Sequence, residues 1–397
     1  MSDLMEETTT DADAPKASAA MFTFSEGTSQ HRMFQLIGWA FFFVPALVIP
    51  YILPNFRVSQ FGQVIAFSVA LLGMNMVIGY SGLLSIGHIA FMGTGAYLTV
   101  ILVNDNRWDV WMTLPVVIIA NFVFGALLGF PALKIKGLYL ALVTLALAYT
   151  FPILLKIDEW GIARRTGGDN GKNLAEAVKP PGWARSLLFI NGRKPQEQQA
   201  IYQYFCLFVL ALICFLIVRN IIKSRPGRSM IAIRDNQIGA AVSGVPLNMT
   251  KVLTFAISAA VTGVSGSMLA VNLNSVGPTS FDFNYAILTI MGLVLGGVAT
   301  LHGNWVGALL LVFIQDLTSR VSIPPIIPKG SPLTRAVFGI VLVLVAFFMP
   351  GGVVSFATKL KRKFVRVIPQ VPKGSSMDTA TLSVDSSESG TLSGAAR

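Results

Sequence analysis

The chain has few charged residues for its length. Of its 397 residues only 12% are charged, whereas 53% are apolar. Soluble domains carry about 25% charged residues, so this composition excludes an ordinary soluble domain and predicts a membrane-embedded protein. Cysteine is scarce too: Cys206 and Cys214 lie in one apolar segment and indicate no disulfide framework. Residues 1–30 lack the positive flank of a secretory signal, so we expect the first apolar segment to stay as a membrane helix.

The groups that catalysis or ion coupling needs are also missing. No Asp or Glu lies in the middle of an apolar segment, which disfavours a proton- or sodium-coupled carrier. The three histidines are scattered and there is no acid pair, so we expect no hydrolase, no metal and no cofactor. The stretch 167–173, GGDNGKN, lacks the first Gly and the final Ser or Thr of a phosphate-binding loop. If ATP drives this protein, another chain must hydrolyse it.

Long apolar segments predict an all-α, polytopic membrane protein with about ten spans of about 20 residues each. We place the spans at about 33–54, 59–79, 84–103, 110–133, 137–156, 201–220, 251–274, 285–301, 303–318 and 333–350. The short eighth and ninth form either a tight hairpin or a re-entrant pair. We expect a disordered tail at 1–30, a transmembrane domain at 31–358, and a basic flank with a disordered tail at 359–397.

A basic island at 219–251, which contains one acid, Asp235, indicates the orientation. Cytoplasmic loops collect Lys and Arg, so the island is predicted to be cytoplasmic, and counting spans puts both termini inside. The loop 157–200 then lies outside, although it carries seven Lys and Arg residues. The net charge of +11 sits beside apolar segments, where it anchors helix ends against anionic lipid, and does not indicate a nucleic-acid partner.

Apolar residues within the island recur at helical spacing. Met230, Ile233, Ala241 and Val245 fit one face of a short amphipathic helix, or of two. Such a helix would lie under the membrane and present Arg234 and Asp235 to a partner. The alternative is an ordinary basic loop that only sets the topology.

Polar residues gather around the segment 78–97, IGYSGLLSIGHIAFMGTGAY. Asn75, Ser81, Ser85 and His88 must find partners or line a cavity. One interpretation is a substrate path; the other is that the serines bond back to their own helix while His88 bonds to a neighbour.

Glycines interrupt two spans, at Gly263 and Gly266 and at Gly296 and Gly297. Broken helices often border transporter sites, and close helix packing is the alternative.

Several stretches in one order resemble the membrane permease of ABC importers of the branched-chain amino acid type. They are GYSGLLSIGHIAFMGTGAY (79–97), KIKGLYLALVTLALAYT (134–150), TGGDNG (166–171), GRSMIAIRDNQIGAAVSGV (227–245), VLGGVATLHGNWVGALL (294–310) and LVLVAFFMPGGVV (342–354). The stretch GLYLALVTLA is most similar to the subunit that pairs with a second, related permease.

The resemblance implies a permease subunit that is not itself an enzyme, in the inner membrane. Its partners would be a second permease, cytoplasmic ATPase subunits, and a soluble binding protein that delivers a small polar solute such as leucine. The family's coupling loop matches 227–245, within 221–250. The residues it assigns to ATPase docking are Arg228, Arg234, Asp235 and Gly244. Those it assigns to the substrate path are Asn75, Ser85, His88, Gly296 and Gly297.

This chain departs from the family pattern at Gln237, where an acid is more usual, and at His302 and Asn304, where the turn usually holds an aromatic residue and a proline. Relatives of this type also serve urea and short-chain amides, which stay as alternative substrates. A stand-alone secondary carrier and a membrane scaffold are the alternatives from other classes.

Overall fold

The computed structural model describes residues 22–25, 45–131, 138–159, 161–175, 178–320, 339, 343, 347, 352–354 and 365–368. The chain divides into two units, one of residues 1–41 with 361–397 and one of residues 42–360. In the first unit, strand β1 (Phe22–Ser25) pairs in parallel with a strand at Val365–Ile368. The rest of the two predicted disordered tails lies outside the described residues.

The second unit is a helical bundle. Before its central helices come α1 (45–52), α2 (Asn55–Asn75), a π-helix (Met76–Tyr80), α3 (His88–Asn106), α4 (Val110–Gly129) and α5 (Leu138–Leu154). Next are α6 (Ile162–Thr166), β2 (Lys172–Asn173), α7 (Gly182–Leu187), α8 (Pro195–Lys223), α9 (Arg225–Asp235), α10 (Gln237–Val242) and α11 (Leu247–Leu273). Last come β3 (Ser275–Val276), α12 (Phe283–Gly296) and α13 (Gly303–Arg320). Of the predicted first and tenth spans, residues 45–54 and the single residues 339, 343 and 347 are described.

Within the described ranges, four helices are long and apolar enough to cross a membrane: 55–80, 110–129, 195–223 and 247–273. Three shorter apolar helices accompany them, at 139–154, 283–296 and 303–317. A helix needs about 20 apolar residues to span the hydrocarbon, so the chain crosses the membrane several times. The all-α polytopic fold is confirmed.

Helix α11 is the centre of the bundle, and small residues let its neighbours come close. Helix α2 runs antiparallel to it, because Gly62 lies against Asn272 while Gly73 lies against Thr262. Helix α3 runs parallel to it, with Gly95 against Gly263. Since α11 is a continuous helix through Gly263 and Gly266, these two glycines pack the helices and do not break the span.

The bundle has two distinct ends. The residues 76–87, 223–258 and 297–304 gather at one end, which we call the island end because the basic island lies there. The loop after α5 lies at the opposite end, where β2 pairs with β3 just after α11. The basic island and the basic loop 157–200 therefore lie at opposite ends, as the count of spans predicts.

The predicted eighth and ninth spans form a tight antiparallel hairpin. Gly296 lies against Gly303, and Gly292 lies against Gly307 and Leu311. Helix α12 has 14 residues, so it is about 21 Å long, shorter than the hydrocarbon core of about 30 Å. The turn of this hairpin lies at the island end.

Close backbone packing between α3 and α11 makes Gly266 sensitive to substitution. A Cβ atom at this position would overlap the carbonyl oxygen of Met92 and lie 2.9 Å from the Ala96 nitrogen. Because both are backbone atoms, the two helices must separate to admit it. We expect Gly266→Ala to destabilise the protein by about 1–3 kcal/mol, measured as a lower melting temperature in detergent. Gly182→Ala is the control, since nothing lies within 4 Å of that site; equal melting temperatures would contradict this packing.

Candidate functional site

The helical ladder stops between Tyr80 and His88, so the predicted third span begins later than residue 84. Gly82 has a φ of +67°, a conformation that glycine adopts without strain. Two backbone N–H groups of the break find partners: Leu83 N–H donates to the Val77 carbonyl at 3.0 Å, and Ile86 N–H donates to Thr144 Oγ1 of α5 at 3.0 Å. The break is thus an ordered segment held by a neighbouring helix.

His88 lies in a chain of hydrogen bonds that crosses three helices. The Ser258 hydroxyl of α11 donates to the Gly73 carbonyl of α2 at 2.7 Å. Its only proton is then used, so His88 Nε2–H must donate to Ser258 Oγ, at 2.6 Å. His88 Nδ1 is consequently the acceptor of the Ser85 hydroxyl, at 3.0 Å. This chain defines a neutral imidazole with both nitrogens occupied.

The serines differ from the expectation that they bond back to their own helix. Ser85 bonds to the His88 side chain. Ser81 Oγ is buried and, in the part of the chain that the structure describes, has no hydrogen-bond partner. His88 does bond to a neighbouring helix, through Ser258. Ser85 and His88 therefore form one cluster at the start of α3.

Asn75 is fully buried and bonds to the turn between α12 and α13. Its Nδ2 donates to the Thr300 carbonyl and to Asn304 Oδ1, both at 3.0 Å. Its Oδ1 accepts the Ala299 N–H at 2.8 Å. Both donor hydrogens and the carbonyl oxygen are in use, so Asn75 ties α2 to this turn.

The glycine pair predicted to break the eighth span lies at the same turn. Helix α12 ends at Gly296, and Gly297 follows with a φ of +117°, outside any helical conformation. Gly352 lies against the Gly297 backbone. Asn75, Gly296 and Gly297 are thus brought together, apart from the Ser85–His88 cluster.

The basic island folds as two short helices, α9 and α10. Asn236 separates them, and its side chain accepts the N–H groups of Ile238 and Gly239 at 3.0 Å, an N-cap for α10. Met230 and Ile233 are buried as predicted, but Ala240 is buried in place of Ala241. The helical phase restarts at the Asn236 cap, so a single periodicity does not run through both helices.

The four residues assigned to ATPase docking lie on this pair of helices. Arg234 Nε bonds Asp235 Oδ1 at 3.0 Å, and Arg234 Nη1 donates to the Gly79 carbonyl at 3.2 Å. Arg228 Nη1 donates to the Lys223 carbonyl at 3.2 Å, across the corner between α8 and α9. Gly244 follows the end of α10 with a φ of +79°. Arg234 thus joins α9 to the π-helix at the end of α2.

Exposed apolar side chains lie beside these charges. Ile238 is 78% exposed and Val242 is 85% exposed, and Met249 at the start of α11 is exposed as well. The island thus exposes both charged and apolar side chains.

Residues 57–346 match the family model described as the branched-chain amino acid transport system / permease component. The chain belongs to this family.

Two relatives share much of the permease's length. It is 28% identical over 285 residues to the high-affinity branched-chain amino acid transport system permease protein LivM of Salmonella typhimurium, covering 69% of this chain and 66% of the relative. It is 30% identical over 259 residues to LivM of Escherichia coli, covering 62% of this chain and 60% of the relative. The chain thus spans less than two thirds of the length of either.

A third relative, which matches over a shorter stretch, is a permease named for a different solute. The chain is 32% identical over 125 residues to the L-arabinose transport system permease protein AraH of Escherichia coli, covering 30% of this chain and 37% of the relative. No solved structure gives a significant match.

Sequence reasoning missed the partners of the permease's buried polar residues, chiefly Ser258, Thr144 and Asn304. One signal was present. Small hydroxyl residues recur every three or four positions on α11, and all of them are buried: Thr250, Thr254, Ser258, Thr262 and Ser265. That spacing marks one helix face, and it predicts a polar stripe that meets other helices. Nothing similar points to Thr144 or Asn304.

The hydrogen-bond chain through His88 predicts a specific cost for Ser258→Ala. The variant leaves His88 Nε2–H without this partner, at a cost of about 1–3 kcal/mol for the buried donor, while the Gly73 carbonyl keeps the Met76 N–H. Ser68→Ala is the matched control, because the buried Ser68 hydroxyl donates to Ile65 of its own helix, at 2.7 Å. Thermal unfolding in detergent measures both. If the two variants melt together, the chain through His88 does not stabilise the fold.

Proposed function

We propose that this permease is a subunit of an ATP-driven ABC importer and forms the translocation path for branched-chain amino acids. The main support for this proposal is the fold of the island. It forms two helices that expose charged and apolar side chains, and Arg234 bonds to the π-helix at the end of α2. A loop that only set topology would need neither the helices nor this contact. The similarity to permease proteins named for branched-chain amino acid transport supports the substrate class.

The island helices are proposed to dock into a groove of a cytoplasmic ATPase subunit. Ile238 and Val242 would supply the apolar contact, and Arg228, Arg234 and Asp235 would set its register through charge. Gly244 ends α10 and lets the chain turn back into α11. Closure of the ATPases on ATP would then push this surface against the membrane helices.

The substrate path is proposed to run beside the break at 81–87 and the turn at Gly296 and Gly297. Asn75, Ser85 and His88 have their polar atoms bonded within the protein, so we assign them to the wall of the path. Ser81 Oγ and Asn304 Nδ2 are buried and have no partner in the described ranges. These two groups are available to a polar solute that passes the break.

The remaining partners follow from the importer assignment. A second, related permease would complete the path, and a soluble binding protein would deliver the solute at the end opposite the island. The excess of Lys and Arg in the island supports a cytoplasmic position for the island end. We therefore propose an inner-membrane location, with a transmembrane domain over 31–358 and both termini inside.

Uptake of labelled leucine tests the function. It is measured in cells that lack the gene and in cells with the gene restored, each before and after ATP depletion. We expect uptake that returns with the gene and disappears on ATP depletion. Uptake that survives ATP depletion but stops with an uncoupler would instead establish a secondary carrier. Without any gene-dependent uptake of leucine, the branched-chain substrate assignment is wrong.

Charge reversal at Arg234 tests the coupling surface. We expect Arg234→Glu to lower leucine uptake about tenfold or more, because it removes the Gly79 contact and repels Asp235. The protein should still reach the membrane, which a blot of membrane fractions measures. Arg164→Glu is the control with the same change in net charge, on an exposed residue at the opposite end. Normal uptake by Arg234→Glu would remove this residue from the coupling role.

A further inference from the structure

The π-helix at Met76–Tyr80 contacts two parts of the permease, namely α9 of the island and the turn between α12 and α13. π-Helices are rare and appear mostly as single turns, often at functional sites. Here the turn ends α2 at the island end, where the last carbonyl groups of a helix need partners from elsewhere. The Val77 carbonyl is taken by Leu83 N–H at 3.0 Å, and the Gly79 carbonyl by Arg234 at 3.2 Å.

Helix α9 packs directly on this turn. Beyond the Gly79 bond, a Cβ atom at Gly82 would lie 2.8 Å from Arg234 Cγ and 3.4 Å from its Cα. The buried Met230 lies three residues before the buried Ile233 and four before Arg234, so the same face of α9 packs on the bundle. The C-terminal end of α9 is therefore attached to residues 79–82.

The other side of the same turn is attached to the α12–α13 hairpin. Asn75, the last residue before the π-helix, holds Ala299, Thr300 and Asn304 through three hydrogen bonds of 2.8–3.0 Å. Gly79 lies between the two attachments. A Cβ atom there would overlap Asn75 Oδ1 and come within 2.6 Å of the Ala299 nitrogen, so no side chain fits in the junction.

We propose that Asn75 is a positioning residue for coupling: it clamps the α12–α13 turn to the π-helix, so that a displacement of α9 is transmitted to that turn through Arg234, Gly79 and Asn75. The three hydrogen bonds of Asn75 all lie within this clamp, which leaves no polar atom of the residue for the solute. Movement of α9 on ATPase closure then becomes movement of the hairpin that borders the path. This inference rests on the proposed importer function.

The test removes the clamp without removing the α9 surface. Asn75→Leu keeps the size of the side chain and loses all three hydrogen bonds. Asn121→Leu is the matched control, since Asn121 is equally buried in α4 and its amide donates within its own helix, to Val117 at 3.0 Å. The importer complex is purified and reconstituted in lipid vesicles, and leucine uptake and ATP hydrolysis are measured together. We expect Asn75→Leu to keep ATP hydrolysis and to lose about tenfold or more of the uptake per ATP, while Asn121→Leu keeps the ratio.

A distance measurement reads the clamp directly. In a chain whose Cys206 and Cys214 are replaced by Ala, spin labels are placed at Ser229 on α9 and at Val298 on the turn, neither of which is buried. We expect the 229–298 distance to be the same with and without ATP in the parent protein, because the two positions move as one body. In Asn75→Leu the distance should change on ATP binding.

The outcomes separate the clamp from its alternatives. Unchanged uptake per ATP in Asn75→Leu, or a 229–298 distance that stays constant in that variant, overturns the proposal. If Asn75→Leu does not assemble, Asn75→Ala is used; it also removes all three bonds and is expected to give the same loss of uptake per ATP. If the parent complex shows no ATP-dependent uptake, the proposed function fails while the distance measurement still reports on the clamp.

Discussion

In the hydrocarbon of a membrane, an unpaired backbone N–H or C=O group costs several kcal/mol, so every break in a membrane helix must be closed by other groups. In this protein the closing groups come from distant helices. Thr144 of α5 accepts a hydrogen bond from the Ile86 N–H, and Arg234 of α9 donates one to the Gly79 carbonyl. Asn75 of α2 bonds to the backbone of the α12–α13 turn. The breaks and their partners lie together at the island end, where these hydrogen bonds join helices that are distant in the sequence.

Small residues on α11 make this arrangement possible. Gly263 and Gly266 let α3 approach to backbone contact, and the hydroxyl groups of the same helix supply hydrogen bonds. Ser258 is the clearest case, because it joins the α2 backbone to His88 of α3. Hydroxyl and glycine positions thus replace the large apolar side chains that pack a soluble bundle, since lipid offers no hydrophobic gain for helix association.

The same end carries the charge of the island, so the proposed docking surface and the irregular backbone are adjacent. Irregular backbone is where a helical bundle changes shape at low cost, because its hydrogen bonds are few and specific. A transporter needs both features in one place: a surface that receives the mechanical input and a segment that can convert it into a change of access. The opposite end, with β2 and β3 and the loop after α5, shows a different, loop-rich organisation.

Much of the fold followed from the sequence alone. Hydropathy located the long helices to within a few residues. The spacing of Met230 and Ile233 was compatible with short helices in the island, with an ordinary loop as the alternative, and both residues are buried in a helix. The predictions were wrong where the backbone departs from a regular helix. Helix α3 begins at His88 and not at residue 84, because Gly82 interrupts the helix. Ala240 is buried in place of Ala241, because a new helix begins after Asn236.

The amino-acid sequence by itself determined the segments that enter the membrane, the island that stays outside it, and the class of protein, because length, hydropathy and charge are local properties. Only the tertiary structure decided which groups form hydrogen bonds with Asn75, His88 and Arg234. Their partners lie 225, 170 and 155 positions away in the chain, and no periodicity extends over such separations. Partner choice there depends on which helices pack together and at what depth, which is a property of the assembled bundle.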